Sequence, residues 1–215
     1  MRALILDFDG LMVDTEWPSF LAWREVYNEH GAELYLPEWS ARVGSDHGFN
    51  PIKTLRARSS RPLGDIDALL ADRQRRKAAR VASKPLMPGV REVIAQARHL
   101  GWAVGVASSS PYEWVGGHLT RLGMLDIVDA VRTRDDVHRV KPDPEVFLLA
   151  ADALGVPPED CVVCEDSLNG IRAAKAAGMF SIAVPNRVTV VQDFAEADLQ
   201  VRSLSALRLS KLPPV

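Results

Sequence analysis

Short, unbroken apolar runs recur along the chain at residues 3–8, 103–107, 127–131, 161–164 and 181–184, with a weaker one at 199–201. Runs that do not alternate with polar residues mark strands buried on both faces, the habit of parallel sheets. Between them lie helical patterns at 90–100, 111–122, 143–154 and 167–177, each stopped by a glycine (Gly101, Gly123, Gly155, Gly178). A weak last helix follows the final strand. Strand and helix alternate at the lengths of βαβ units, which predicts a parallel sheet covered on both sides.

One segment breaks the alternation. Residues 16–83 contain no convincing strand, only helical patterns at 18–30, 37–43, 51–58 and 65–81. The first carries Phe20, Leu21, Trp23 and Tyr27 and stops at Gly31, and the third opens on the capping pair Asn50-Pro51. With nothing to pair with the sheet, this stretch reads as an inserted small helical cap. The expected fold is α/β, a Rossmann-like parallel sheet core of residues 1–15 and 84–215 interrupted by a cap at 16–83.

A chain of 215 residues, 47% hydrophobic and 25% charged, is that of a soluble globular protein. A net charge of −2 gives no basic field for nucleic acid. No run has membrane-spanning length, and Asp7 interrupts the first too early for a secretory signal. A cytoplasmic monomer that binds neither nucleic acid nor membrane is the expectation. Cys161 and Cys164 have C-x-x-C spacing, but no further residues are spaced to complete a zinc site. An offset of three puts them on opposite faces of one strand, so they read as buried free thiols.

The first strand ends in Asp7 and Asp9, which share a face while Phe8 points back into the core, and Gly10 lets the chain turn away. Two carboxylates there are costly without a cation. Ser108 ends the 103–107 strand, Glu165 and Asp166 end the 161–164 strand, and Lys141 lies in the loop before the 143–154 helix. Singly, each has an ordinary explanation: Ser108 as a cap, Lys141 as a solvated lysine, Glu165 and Asp166 as helix N-terminal acids. Together they converge on the carboxyl edge of one sheet, where ligands of such folds bind.

The segments DFDGLMVDTE, VASSS, KPDP and CEDSLNGIRAAKAAGM resemble, in order and spacing, the four motifs of the haloacid dehalogenase superfamily. The branch most similar has a small helical cap and includes β-phosphoglucomutase-like and sugar-phosphate phosphatase-like enzymes. The resemblance implies that Asp7 attacks phosphorus to form an aspartyl-phosphate. It implies a Mg²⁺ held by Asp7, the backbone carbonyl of Asp9 and Asp166, with Glu165 as a direct or supporting ligand. Lys141 would supply a second positive charge. Ser108 and the N–H groups of Ser109 and Gly10 would bind phosphate oxygens. Asp9 would be the general acid and then the base. The family's dehalogenases lack an Asp at that place and its transport ATPases carry Thr, so Asp9 implies phosphate-ester chemistry.

The mutases of this branch use a His in the first cap helix, where this chain has Ser19, and that favours a phosphatase. Cap-side substrate contacts are expected from Glu16, Trp17, Val43 and the 45–47 loop with His47. Residues 16–84 carry 12 Lys and Arg against 9 Asp and Glu, a net of +3 that leaves −5 for the remainder. A mildly basic lid over an acidic core suits a small anionic substrate, although the run at 72–80 that supplies most of this charge reads as a solvated helix face. The expected substrate is a small phosphorylated metabolite, a sugar phosphate foremost. A phosphosugar mutase, and a non-catalytic binding protein on the same scaffold, are the alternatives.

Overall fold

The computed structural model describes residues 2–41, 43 and 49–213. Strand β1 (Ala3–Leu6) is fully buried at the centre of a parallel sheet. The chain then leaves the sheet for four helices, α1 (Glu16–Glu29), α2 (Leu36–Ser40), α3 (Pro51–Arg58) and α4 (Ile66–Val81). It returns through α5 (Val90–His99), β2 (Ala103–Ala107), α6 (Tyr112–Arg121), β3 (Ala130–Arg132) and α7 (Glu145–Leu154). It closes with β4 (Cys161–Glu165), α8 (Leu168–Ala176), β5 (Phe180–Ala183) and β6 (Leu199–Gln200). The sheet order is β3-β2-β1-β4-β5-β6, so the winding reverses about β1, with Leu6 level with Val106 on one side and Cys164 on the other. Such a reversal opens a crevice at the carboxyl ends of the central strands.

The two faces of β1 feed separate cores. Leu4, Leu6 and Phe8 pack with Val93 and Ile94 of α5 and Val115 and Leu119 of α6. Ala3 and Ile5 face Phe147 and Ala150 of α7 and Ala173 of α8. Phe8 is fully buried, so the residue between the two aspartates anchors them from behind. The offset of three places Cys161 in the second core and Cys164 in the first. Both are free thiols.

The helices α1–α4 build their own apolar cluster around Phe20, Trp23, Tyr27, Trp39 and Leu55. Asn50 accepts from Lys53 N at 2.9 Å to cap α3, and Asp65 caps α4 through Asp67 and Ala68. Where the chain enters and leaves this layer, its two crossings are tied together. Met87 N donates to Met12 O at 2.8 Å, and the Lys84 ammonium meets Asp14 Oδ2 at 2.8 Å. Val188, from the loop after β5, is fully buried among the cap residues.

Three elements differ from the sequence expectation. The strand expected at 127–131 begins at Ala130, and Leu125–Ile127 forms a 3-10 turn instead. Arg98 of α5 explains the shift: its guanidinium holds Ile127 O and both oxygens of Asp129, so the backbone there serves a turn before the ladder starts. The expected last helix resolves into two 3-10 turns, Leu204–Ala206 and Leu209–Lys211. Pro144, not Asp143, takes the N-cap position of α7, although Asp143 Oδ1 still accepts from Glu145 N at 3.1 Å. No helix among the described residues is long and apolar enough to cross a membrane.

Burial pushes both thiols up to about 12, so thiolate is scarce at neutral pH. Titration with a chromogenic disulfide at pH 8 is expected to modify neither cysteine in the native protein and both after denaturation. Rapid native labelling would contradict the packing described here.

Candidate active site

Lys141 is the hub of the crevice. Its side chain is 1% exposed, and its ammonium donates to Asp7 Oδ1 at 2.5 Å, Glu165 Oε1 at 2.7 Å and Ala107 O at 2.9 Å. Those acceptors lie at the carboxyl ends of three adjacent strands, β1, β4 and β2. All three protons of the ammonium are used.

The carboxylates around it outnumber it. Asp7, Glu165 and Asp166 are all buried and can each present an oxygen within 4.8 Å of the others. Glu165 is the most fully engaged, its second oxygen accepting from Ser167 N and Oγ, both at 2.9 Å. It lies against the first turn of α8, where a side chain on Gly170 would strike its carboxylate at 1.9 Å. Burial holds the Asp7 and Asp166 carboxyls well above the ordinary value, with Glu165 adding repulsion and Lys141 pulling down. With all three ionised, one ammonium would leave two negative charges in excess, which is why burial favours their neutral forms when no cation is bound. An all-oxygen donor set with that imbalance fits a hard divalent cation.

Asp9 is oriented differently. Its Oδ1 accepts from Trp114 Nε1 at 2.9 Å, and its Oδ2 accepts from Ser110 Oγ at 2.7 Å and Ser108 Oγ at 3.3 Å. Lys77 of α4 reaches across to 3.9 Å from Oδ1. Burial alone would raise its pKa, but Lys77 and the donors on Ser110 and Trp114 hold it below the usual value. As placed, Asp9 is an ionised carboxylate. Its backbone carbonyl accepts no hydrogen bond among the described residues.

The crevice opens into a cavity of about 720 Å³ between the sheet edge and the α1–α4 layer. The sheet edge contributes Asp7, Asp9, Ser108, Ser109, Lys141 and Asp166, and the α1–α4 layer contributes Glu16, Ser19, Trp39, Val43, Arg73 and Lys77. Among the described residues the buried Ser109 hydroxyl has no hydrogen-bond partner, a polar atom that a ligand oxygen would satisfy. Among the expected cap-side contacts, Glu16 and Val43 line the cavity. His47 lies outside the described residues, as does the rest of the 45–47 loop.

Two expectations are corrected by the geometry. The Gly10 N–H donates to Val13 O at 2.8 Å, closing the turn after β1, and is not free for a phosphate oxygen. Gly10 serves through its shape instead. With φ at +82°, a Cβ there would meet Asp166 Oδ2 at 2.3 Å. Trp17 does not line the cavity but stacks under the Arg187 guanidinium, 3.4 Å from its ring centroid.

The basic run at 72–80 also divides. Arg75 and Arg76 pair outward with Asp72 and Glu29, and Arg80 with Glu25, whereas Arg73 and Lys77 turn inward together. Their spacing of four puts them on one helix face, a signal already present in the sequence. Trp114 was not singled out from the sequence, and only its position on the first turn of α6, just past the serines, could have drawn attention to it.

Comparison with known proteins places the chain in a family. A family model, "haloacid dehalogenase-like hydrolase", matches residues 1–178. The chain belongs to that family. Within it, the chain is similar to the Bacillus subtilis (strain 168) protein named "Putative phosphatase YhcW", 42% identical over 212 residues, 99% of this chain and 96% of that one. It is also similar to beta-phosphoglucomutase of the same organism, 31% identical over 218 residues, 99% and 94% of the two chains. Among solved structures it is similar to a mutant CbbY from Rhodobacter sphaeroides in complex with xylulose-(1,5)bisphosphate, with TM-score 0.76, 29% identity and 96% of each chain covered.

Trp114→Phe keeps the ring packing but removes the indole N–H from Asp9. A hydrogen bond to a charged group contributes about 1.5–3 kcal/mol, so kcat on any substrate this haloacid dehalogenase-like hydrolase turns over is expected to change by about tenfold or more. Thermal unfolding, measured alongside, is expected to shift little, and unaltered kinetics would remove Trp114 from the machinery.

Proposed function

We propose that this protein is a Mg²⁺-dependent phosphatase of a small phosphorylated metabolite, a sugar phosphate foremost, working through an aspartyl-phosphate on Asp7. The observation that carries the reading is the Asp7 carboxylate, fixed through one oxygen by a buried lysine at the floor of a polar cavity. That grip restrains the group in one orientation and leaves Oδ2 for attack on phosphorus. Residues 1–15 and 84–215 are the proposed catalytic core, and residues 16–83 the proposed cap.

Asp7, Asp166 and the Asp9 carbonyl would hold Mg²⁺, while Glu165, with both oxygens committed, supports Lys141 and Asp7. When bound, the ion neutralises the carboxylate excess and the charge of the transferring phosphoryl group. Ser108, together with the N–H and hydroxyl of Ser109, would receive the phosphate oxygens. In the first step the Asp7 oxygen bonds to phosphorus as the ester oxygen leaves with a proton from Asp9. In the second, the ionised Asp9 takes a proton from water, whose oxygen attacks phosphorus and frees Asp7. The donors around Asp9 stabilise its charged form, the form the second step requires.

Both phosphatases and a phosphoglucomutase stand among the relatives. Ser19 favours hydrolysis here: it lines the cavity and accepts from Arg73 Nη2 at 3.4 Å, and a hydroxyl so placed has no proton equilibrium near neutrality. A relative's phosphorylated sugar ligand supports the proposed substrate class.

The test is phosphate release from a panel of phosphorylated sugars, polyols and nucleotides, with Mg²⁺ and with EDTA. Metal-dependent release concentrated on one or two compounds is the expected result, and conversion of a sugar 1-phosphate to its 6-phosphate without release would select the mutase. Asp7→Asn is expected to abolish turnover, because an amide is a poor nucleophile. Asp166→Asn is expected to raise the Mg²⁺ concentration needed for half-maximal rate, read from a metal titration of the initial rate.

A further inference from the structure

Among the described residues, Asp166 is the member of the carboxylate cluster without a lysine or arginine ion pair, whereas Lys141 pairs with both Asp7 and Glu165. Asn186 Nδ2 donates to Asp166 Oδ2 at 2.6 Å. The same amide nitrogen donates to the Gly10 carbonyl at 3.2 Å. Both amide hydrogens are therefore spent on the β1 and β4 ends of the site. The packing is tight from both sides, since a Cβ on Gly10 would meet Asp166 Oδ2 at 2.3 Å and Asn186 Nδ2 at 2.6 Å.

The far end of the Asn186 side chain is equally fixed. Its Oδ1 accepts from Val188 N at 2.8 Å and Thr189 N at 3.2 Å, and its own N–H donates to Thr189 Oγ1 at 3.0 Å. This turn is in turn held by the cap. Val188 is fully buried in the cap cluster, and Arg187 lies over Trp17 of α1. Gln192 donates to Ser40 O of α2 at 2.6 Å while accepting from Leu168 N at 2.7 Å. The segment 186–192 is a strap from the site to the cap, and Asn186 is its inner end.

We infer that Asn186 is a positioning residue that fixes the Asp166 carboxylate for the divalent cation and so sets cation affinity. The inference rests on the metal reading proposed above. A neutral amide suits the task physically: it holds the carboxylate plane without supplying a positive charge that would compete with the ion. Partners of this kind around metal ligands typically contribute 10- to 100-fold in affinity, as an order of magnitude.

Asn186→Ser separates the two ends of the side chain. A serine hydroxyl can accept the Val188 and Thr189 N–H groups in the same kind of turn, but it is too short to reach Asp166. Isothermal titration of Mg²⁺ into the full chain is expected to show a Kd raised about tenfold or more, with kcat recovering at saturating Mg²⁺. The unfolding midpoint in EDTA is expected to stay within about 3 °C of the parent. Val190→Ala, an exposed change in the same turn, is expected to leave the Kd unchanged, and Asn186→Thr carries the test if the serine variant folds poorly. Wild-type affinity in Asn186→Ser, or equal weakening by Val190→Ala, overturns the positioning role while leaving the metal reading intact. A parent protein that takes up no Mg²⁺ overturns both.

Discussion

A single buried ammonium ties the sheet edge together. Lys141 reaches the ends of β1, β2 and β4 at once. Burying one charge among carboxylates is tolerable only when every donor and acceptor is met, and truncating the lysine would leave the buried Asp7 and Glu165 without their shared cation. The Phe147 ring, 4.5 Å from Nζ, closes the remaining side with a face that favours a cation. The lysine is thus as much a structural pin as a proposed catalytic group, and the two roles cannot be separated by deleting it.

What Lys141 leaves undone shapes the rest. One positive charge cannot balance three carboxylates, so the site is built around a deficit. Two glycines make the crowding geometrically possible: Gly10 lets the turn after β1 pass against Asp166, and Gly170 lets α8 begin beneath Glu165. A methyl group at either place would displace a carboxylate, because the clash is with the carboxylate atoms themselves.

Much of this was legible in the residues. Continuous apolar runs give a parallel sheet because only strands covered on both faces need them, and the period of two puts Asp7 and Asp9 outward with Phe8 behind. The motif order then locates Ser108, Lys141 and Glu165-Asp166 on the same edge. What stayed hidden depends on contacts between distant segments. No local pattern tells that Asn186 meets Asp166, 20 residues earlier, or that Trp114 meets Asp9, 105 residues earlier. The Gly10 N–H, which the family resemblance implies for phosphate, is instead taken by a local turn to Val13 O, three residues on. Arg73 and Lys77 were obscured by neighbours of the same charge that do face solvent. The start of β3 moved because a guanidinium from α5 claimed the backbone before it.

The placement of charge about the cavity separates the two halves of the proposed reaction. The sheet-edge side is acidic, whereas α4 brings Arg73 and Lys77 in from the opposite side. A cation carried on α4 acts on Asp9 because it lies close, since charges several ångströms farther apart in water are screened. At 3.9 Å from Asp9, with the Trp114 ring beneath it, Lys77 favours the ionised carboxylate and disfavours its protonation. The charge state of Asp9 is thus tied to α4 through one ammonium. In the proposed reaction this arrangement would suit the water-activating step, and proton donation to a leaving oxygen would require that Asp9 first exchange these donors for a proton.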